Sequence, residues 1–160
     1  MSLRIGFGVD LHRLVADRPL IVGGVAIPSS FGALGHSDAD VLIHAICDAL
    51  LGALNLRDIG YHFSDKDPAY KGIDSKILLQ AVMKMIIERG YEIVNIDATV
   101  ILERPKLNPH IPLMQDVLCE IMHLSLDGLS IKATTHETVD SFGKGEAIKA
   151  YAVVLLQKNV

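Results

Sequence analysis

Hydrophobic and polar positions along the chain change period several times, and each change predicts an element. Leu3 to Val9 is apolar and punctuated by Gly6 and Gly8. It reads as a first strand that Asp10-Leu11-His12 closes, and its glycines imply close approach of another backbone. Leu20 to Ile27, bounded by Pro19 and Pro28, predicts a hairpin turning at Gly23-Gly24. Phe31 to Gly35 reads as a loop. From there apolar residues at Val41, Leu42, Ala45, Ile46, Ala49 and Leu50 recur with helical spacing, predicting a helix that runs to about Leu54. Asn55 to Gly72 is polar and predicts a long loop. Asp74 is placed to cap a second helix ending at Gly90, with Ile77, Leu78, Ala81, Val82, Met85 and Ile86 as its apolar stripe.

Beyond it, Ile93 to Leu102 alternates and is β-branched, so a strand is expected. Prolines between Glu103 and Pro112 break it, and Pro112 opens a third helix to about Leu124. Leu129 to Thr135 and Ile148 to Gln157 are expected strands, separated by a polar loop at Thr138 to Gly145. Helices lie between strands, yet several strands can pair antiparallel. The expectation is therefore one α/β domain over residues 1–160, with a mixed β-sheet.

Composition narrows the function classes. Half of the 160 residues are hydrophobic, which excludes a disordered chain, and Trp is absent, so the core is aliphatic. A net charge of -4 argues against a nucleic-acid binder, which usually shows a basic face, but leaves room for an anionic small substrate. Asp10 falls where a signal peptide needs its apolar stretch, and charged residues interrupt every apolar run, so a cytoplasmic protein without a membrane span is expected. Cys47 and Cys119 lack paired spacing and read as buried thiols.

Chemistry concentrates between Gly35 and Asp48, where His36, Ser37, Asp38, Asp40, His44 and Asp48 crowd the start of the first helix. Asp-x-His at Asp10 and His12 sets a carboxylate and an imidazole on one side of an extended segment. Asp10 and His12 could be ordinary loop polars; with His44 they would make a three-ligand zinc site whose fourth position stays open, the mark of a catalytic rather than a structural zinc. Ser37 could cap the helix, and Asp38 and Asp40 suit its positive end. His36 and Ser37 could equally hold a phosphate. Asp48 reads either as a solvated polar residue or as a carboxylate that orients an imidazole. Thr134, Thr135, His136 and Glu137 leave a strand toward Gly143-Lys144-Gly145, a combination suited to phosphate, with Glu137 a candidate ligand for a harder cation such as Mg²⁺. Arg104-Pro105-Lys106 is an ordinary turn or a ligand contact. On residues alone, a zinc hydrolase and a protein with a closed structural metal site remain alternatives.

Gly8 to His12, Gly35 to Asp48, Asp58-Ile59-Gly60, Phe63 to Asp67, Arg104-Pro105-Lys106 with Pro109 to Pro112, and Lys132 to Thr135 together resemble the 2-C-methyl-D-erythritol 2,4-cyclodiphosphate synthase family. The resemblance runs in order along nearly the whole chain. It implies a homotrimer of mixed sheets facing inward with helices outside, and active sites between neighbouring subunits. It implies conversion of 4-diphosphocytidyl-2-C-methyl-D-erythritol 2-phosphate to the 2,4-cyclodiphosphate with release of CMP. Zinc falls to Asp10, His12 and His44, and Mg²⁺ or Mn²⁺ to Glu137. His36 and Thr135 take catalytic positions beside Ser37. Asp58, Gly60, Phe63, Asp65 and Asp67 form the methylerythritol pocket. Leu102, Arg104, Pro105, Lys106, Leu107 and Asn108, with Thr134, form the cytidine side. His136, Ser141 and Lys144 complete the implied substrate contacts.

The chain departs from the family pattern Gly-Phe-Thr-Gly-Arg-Gly-Glu-Gly at Asp140 to Ala147. Lys144 replaces an Arg and Phe142 is displaced by one position. His136 stands where Thr is frequent, and Ala39 where Gly is. The cytidylyltransferase domain that often accompanies the family is absent and no plastid transit peptide is visible, so a stand-alone bacterial enzyme is expected.

Overall fold

A computed structural model describes residues 2–159. The chain runs β1 (Leu3–Ala16), β2 (Leu20–Val22), β3 (Val25–Ile27), β4 (Phe31–Ala33), α1 (Val41–Ala53), α2 (Ile59–His62), α3 (Ser75–Glu88), β5 (Tyr91–Ile101), α4 (Ile111–Met122), β6 (Leu129–Thr134), α5 (Asp140–Gly143) and β7 (Ala147–Lys158). Five strands form one sheet in the order β4-β1-β7-β5-β6. Only β5 and β6 are parallel, so the sheet is mixed. β2 and β3 form a separate hairpin whose Gly23 and Gly24 take positive φ of 60° and 74°, as a tight two-residue turn requires.

Helix α1 lies across β1 and β7, with α3 and α4 beside it toward β5 and β6. Its approach to β1 is unusually close. A Cβ on Gly6 would lie 1.8 Å from the Ala49 carbonyl oxygen, and one on Gly8 would lie 2.0 Å from that of Ala45. The two glycines thus admit a helix backbone directly onto the strand, as their sequence context implied. On β7, Ala150 and Ala152 keep the same face thin, and both are fully buried.

The opposite face of the sheet is bare. Leu3, Ile5, Phe7, Val9 and Leu11 alternate outward from β1, and Ile5 is 74% and Phe7 61% exposed. Val153 on β7 joins them, and Tyr151 stacks against Phe7. An apolar patch of this kind marks an association surface.

Several expectations are corrected. β1 does not close at Asp10–His12 but continues to Ala16, because the Arg13–Ala16 segment is paired by β7 and by β4, itself a strand where a loop was expected. The polar stretch after Asn55 contains α2 and a 3₁₀ turn at Pro68–Tyr70. The stripe on α3 is rotated. Leu79 and Met83 face the core, whereas Ile77 is 53% exposed.

Asp40 lies at the positive end of α1 as expected, whereas Ser37 and Asp48 take roles different from those expected. Asp40, not Ser37, caps α1, and residues 35–40 precede the helix as irregular backbone. Asp40 is fully buried. Its Oδ1 accepts the N–H groups of Gly23, Leu42 and Ile43, and its Oδ2 accepts that of Gly24. Burial pushes its carboxyl up to about 6 against the pull of those donors. Asp48 is not free in solvent and makes no hydrogen bond to an imidazole; its Oδ1 accepts the Ile59 N–H at 2.7 Å and anchors α2.

Candidate active site

Even-numbered residues of β1 face α1, so Asp10 and His12 continue the line of Gly6 and Gly8 on the helix side of the strand. Here the tight β1–α1 approach delivers His44 from the first turns of the helix. Asp10 Oδ2 lies 2.9 Å from His12 Nε2 and 3.0 Å from His44 Nδ1, and the two nitrogens are 3.4 Å apart. A tetrahedral ion with bonds of about 2.0–2.1 Å needs its donors about 3.3 Å from one another. Two imidazoles and a carboxylate at these separations fit a divalent metal. They are the one group of three or more such side chains so arranged among the described residues.

Each imidazole is aimed by its other nitrogen. His12 Nδ1–H donates to the Leu34 carbonyl at 3.0 Å, which leaves Nε2 free to coordinate. His44 Nε2 meets Ser75 Oγ at 2.9 Å and Ser37 Oγ at 3.3 Å. Ser75 in turn donates to Asp38 Oδ1 at 2.5 Å, while Asp38 Oδ2 accepts the Ser75 N–H. A chain from Asp38 through Ser75 therefore fixes the tautomer that directs His44 Nδ1 at Asp10. Ser75 is buried and was not singled out from sequence. It lies 31 residues from His44, and the N-terminal Ser of a helix carries no special signal.

Burial alone would raise the Asp10 carboxyl, but hydrogen bonds and charge from His12 and His44 outweigh it and lower it to about 2. Burial alone would lower His44; the Asp10 hydrogen bond and charge reverse that and hold the imidazole above its ordinary 6.5. Without metal the anionic Asp10 oxygen holds a proton on the facing imidazole, and a divalent ion would take that proton's place.

Beside the three donors opens a cavity of about 390 Å³, walled by His36, Ser37, Gly60, Phe63 and Asp65 together with Ile59, Tyr70, Ile73 and Leu78. Five of the implied residues thus converge on it, and the apolar wall is an addition. The loop carrying His36 is tied down by Gly72 N–H to the His36 carbonyl and by Asp38 N–H to the Ile73 carbonyl. Asp58 and Asp67 do not line this cavity. Their carboxylates cap α2 and the Pro68–Tyr70 turn, through the Tyr61 and Ala69 N–H groups.

The remaining implied residues lie elsewhere. Parallel strands β5 and β6 end at the same edge, and the loops leaving them enclose a second cavity of about 240 Å³. It is lined by Leu102, Lys106, Leu107, Asn108, Ala133, Thr134 and Thr135. It shares no residue with the first cavity. Arg104, Pro105 and Lys144 line a third, of about 500 Å³, against Phe31 of β4. The Arg104–Pro105 peptide is cis. Glu137 lies just beyond β6, where its Oε1 accepts the Thr135 hydroxyl at 2.6 Å. His136 contacts Asp140 rather than a cavity, and Ser141 is exposed on α5.

A mixed sheet layered by helices, with three donors spaced to fit a divalent metal beside a part-apolar cavity, defines an α/β protein with a candidate metal centre opening on a small-molecule pocket. Residues 3–157 match the YgbB family, and the chain belongs to it. It is 61% identical over 158 residues to the 2-C-methyl-D-erythritol 2,4-cyclodiphosphate synthase of Parabacteroides distasonis, covering 99% of this chain and 98% of that one. It is 56% identical over 158 residues to the enzyme of the same name from Bacteroides fragilis, covering 99% of each. Among solved structures it resembles a 2C-methyl-D-erythritol-2,4-cyclodiphosphate synthase described as a CDP-bound form. The TM-score is 0.89 at 41% identity, covering 96% of this chain and all of that one. It also resembles the bifunctional IspDF from Campylobacter jejuni, with a TM-score of 0.94 at 35% identity, covering 98% of this chain and 42% of that one.

Proposed function

We propose that this chain, as one domain, catalyses conversion of 4-diphosphocytidyl-2-C-methyl-D-erythritol 2-phosphate to 2-C-methyl-D-erythritol 2,4-cyclodiphosphate, releasing CMP, in isoprenoid precursor biosynthesis. The observation that carries the reading is the Asp10–His12–His44 triangle at the mouth of a cavity with the family's polar set around it. In the reaction an oxygen of the 2-phosphate bonds to the β-phosphorus. The bond from that phosphorus to the bridging oxygen breaks, and CMP leaves with the electron pair as a phosphate. No protein nucleophile is consumed.

The obstacle is bringing two anionic groups of one flexible molecule together. Holding the substrate folded offsets the repulsion and the lost torsional freedom, an effect of up to about 7–11 kcal/mol for well-oriented groups. The cavity walls do this: Ile59, Phe63, Ile73 and Leu78 shelter the carbon skeleton, while Gly60 and Asp65 receive its hydroxyls. His36 and Ser37 hold the phosphate end beside the donors. Asp10, His12 and His44 hold zinc, which supplies Lewis acidity to the phosphoryl oxygens when bound. Glu137 would hold Mg²⁺ or Mn²⁺, which would offset charge on the diphosphate, with Thr135 beside it to steady the transferring group. Leu102 to Asn108 and Thr134 receive the cytidine; Lys144, Arg104, His136 and Ser141 border the approach.

That the two cavities share no residue supports a homotrimer in which a substrate spans neighbouring subunits, and the bare apolar face of β1 and β7 supports burial of the sheets at its centre. Among the described residues no helix is long and apolar enough to cross a membrane; a bacterial cytoplasmic setting fits the pathway.

The test is incubation of the zinc- and Mg²⁺-loaded protein with the diphosphocytidyl substrate, followed by phosphorus NMR in ¹⁸O-water. One cyclic diphosphate per CMP, without ¹⁸O, is expected. A linear product carrying ¹⁸O would replace the reading with a hydrolase, and absence of any product would overturn it.

A further inference from the structure

We propose that Asp140, acting through His136, is a positioning residue that holds Thr135 and Glu137 in register for cation and diphosphate binding; this rests on the reading of Glu137 as the ligand of the substrate-borne cation. The chain leaves β6 at Thr134 and returns into β7 through an unusual backbone. Glu137, Thr138 and Asp140 all have left-handed φ, of 51°, 62° and 62°, and none is glycine. L-residues do not choose this conformation in succession. Strain of this kind persists only where surrounding contacts over-determine it.

Those contacts converge on the Asp140 carboxylate. Its Oδ1 accepts the N–H groups of Phe142 at 2.8 Å and Gly143 at 3.2 Å, and its Oδ2 accepts His136 Nδ1–H at 2.9 Å. One side chain thus joins the residue before Glu137 to the residues after it. The backbone closes the same ring, through Val139 N–H to the His136 carbonyl and Gly143 N–H to the Val139 carbonyl. Gly143 sits directly on Thr138; a Cβ there would lie 2.5 Å from the Thr138 carbonyl carbon. The His136 ring packs on Phe142 with centroids 5.3 Å apart. The Thr135–Glu137 hydrogen bond crosses the start of this ring, joining Thr135 just before His136 to Glu137 just after it, and neither partner is bonded to Asp140. Neither His136 nor Asp140 lines the adjoining cavity, so the pair acts on the site through the backbone between them. His136 and the residue at 140 are also two of the positions where the chain departs from the family's pattern, and here they touch.

The test compares wild type with Asp140→Gly, which relieves the left-handed strain but deletes all three bonds, and Asp140→Asn, which keeps an amide acceptor without the charge facing His136. With CDP present, the Mn²⁺ concentration at half-saturation, read from the EPR signal of free Mn²⁺, is expected to rise about tenfold in Asp140→Gly and less in Asp140→Asn. Zinc content and melting temperature stay as in wild type. Amide exchange over residues 136–143 is expected to quicken at least tenfold in the free Asp140→Gly protein. Unchanged Mn²⁺ half-saturation overturns the proposal, as does a loss of zinc that reveals a global effect. Should wild type itself fail to hold Mn²⁺ with CDP, the Glu137 reading falls, and unchanged amide exchange then overturns the role of Asp140 separately.

Discussion

Substituting Gly8 by Ala tests whether the metal centre depends on the backbone contact beneath it. The added methyl would meet the Ala45 carbonyl oxygen at 2.0 Å and the Ala49 nitrogen at 2.7 Å, whereas ordinary contact begins at 3.4 Å. The obstructing atoms are backbone, so no side chain can swing aside, and α1 must retreat by up to about 1.4 Å. His44 rides on that helix. Its 3.0 Å separation from Asp10 and 3.4 Å from His12 would open by a similar amount, beyond the roughly 3.3 Å that tetrahedral donors require. Two local effects oppose each other in stability. Removing a glycine from a strand gains about 0.5–1 kcal/mol, while overpacking costs about 1–3 kcal/mol. The clash wins, leaving a net loss of about 1–2 kcal/mol, or a few degrees in melting temperature. Zinc affinity, measured by competition with a chromophoric chelator, is expected to fall about 100-fold. Gly52→Ala is the control. It lies on the same helix with nothing within 4 Å of its Cβ, and should gain about 0.5–1 kcal/mol with zinc binding intact. A Gly8→Ala protein that binds zinc like wild type would refute the coupling of strand–helix distance to the donor triangle.

Further outcomes follow from the same geometry. Ser75→Ala removes the acceptor that orients His44 and should weaken zinc binding about 10–100-fold with little change in fold, measurable by the same competition. Without metal, the raised His44 imidazole contributes stability that is full below 6.5 and lost as pH rises through its folded value. The lowered Asp10 carboxyl contributes stability present above 3.8 and lost as pH falls toward 2. Denaturant titrations of metal-free protein should therefore show this pair's contribution greatest between about pH 4 and 6.5. Zinc must displace the His44 proton, so zinc affinity should move oppositely and strengthen as pH rises from 6 to 8; parallel trends would contradict the assignment. Phe7→Asp places a charge in the bare face and, under the proposed homotrimer, should shift sedimentation toward monomer; sedimentation unchanged from wild type would remove this face from any subunit interface.

The donor triangle was legible because its signal is local: Asp-x-His on a strand and a His at a helix start. Gly6 and Gly8 also announced the helix they admit. What stayed hidden required distance in sequence to become proximity in space. Ser75 meets His44 only when α3 packs beside α1, and the separation of the Leu102–Thr135 cavity from the donor triangle depends on which strands end at which edge. Asp40 was legible as a carboxylate suited to the start of α1. Asp38 and Asp48 were not traced to their partners because those partners are distant in sequence: Asp38 holds Ser75 of α3, and Asp48 holds the Ile59 amide of α2. Ile77 misled because hydrophobicity alone does not fix the phase of a stripe when neighbouring Leu79 and Met83 can fill the core instead.

The buried Asp40 carboxylate has a consequence for how the molecule opens. Its two oxygens accept hydrogen bonds from the β2–β3 turn and from the leading amides of α1 at once. Prising the turn loose would strand a desolvated anion, and unwinding the helix tip would do the same. The two segments therefore come apart as one cooperative unit. The Gly23 and Gly24 amides, though they belong to a tight reversal of the chain, should exchange with deuterium as slowly as the middle of the helix.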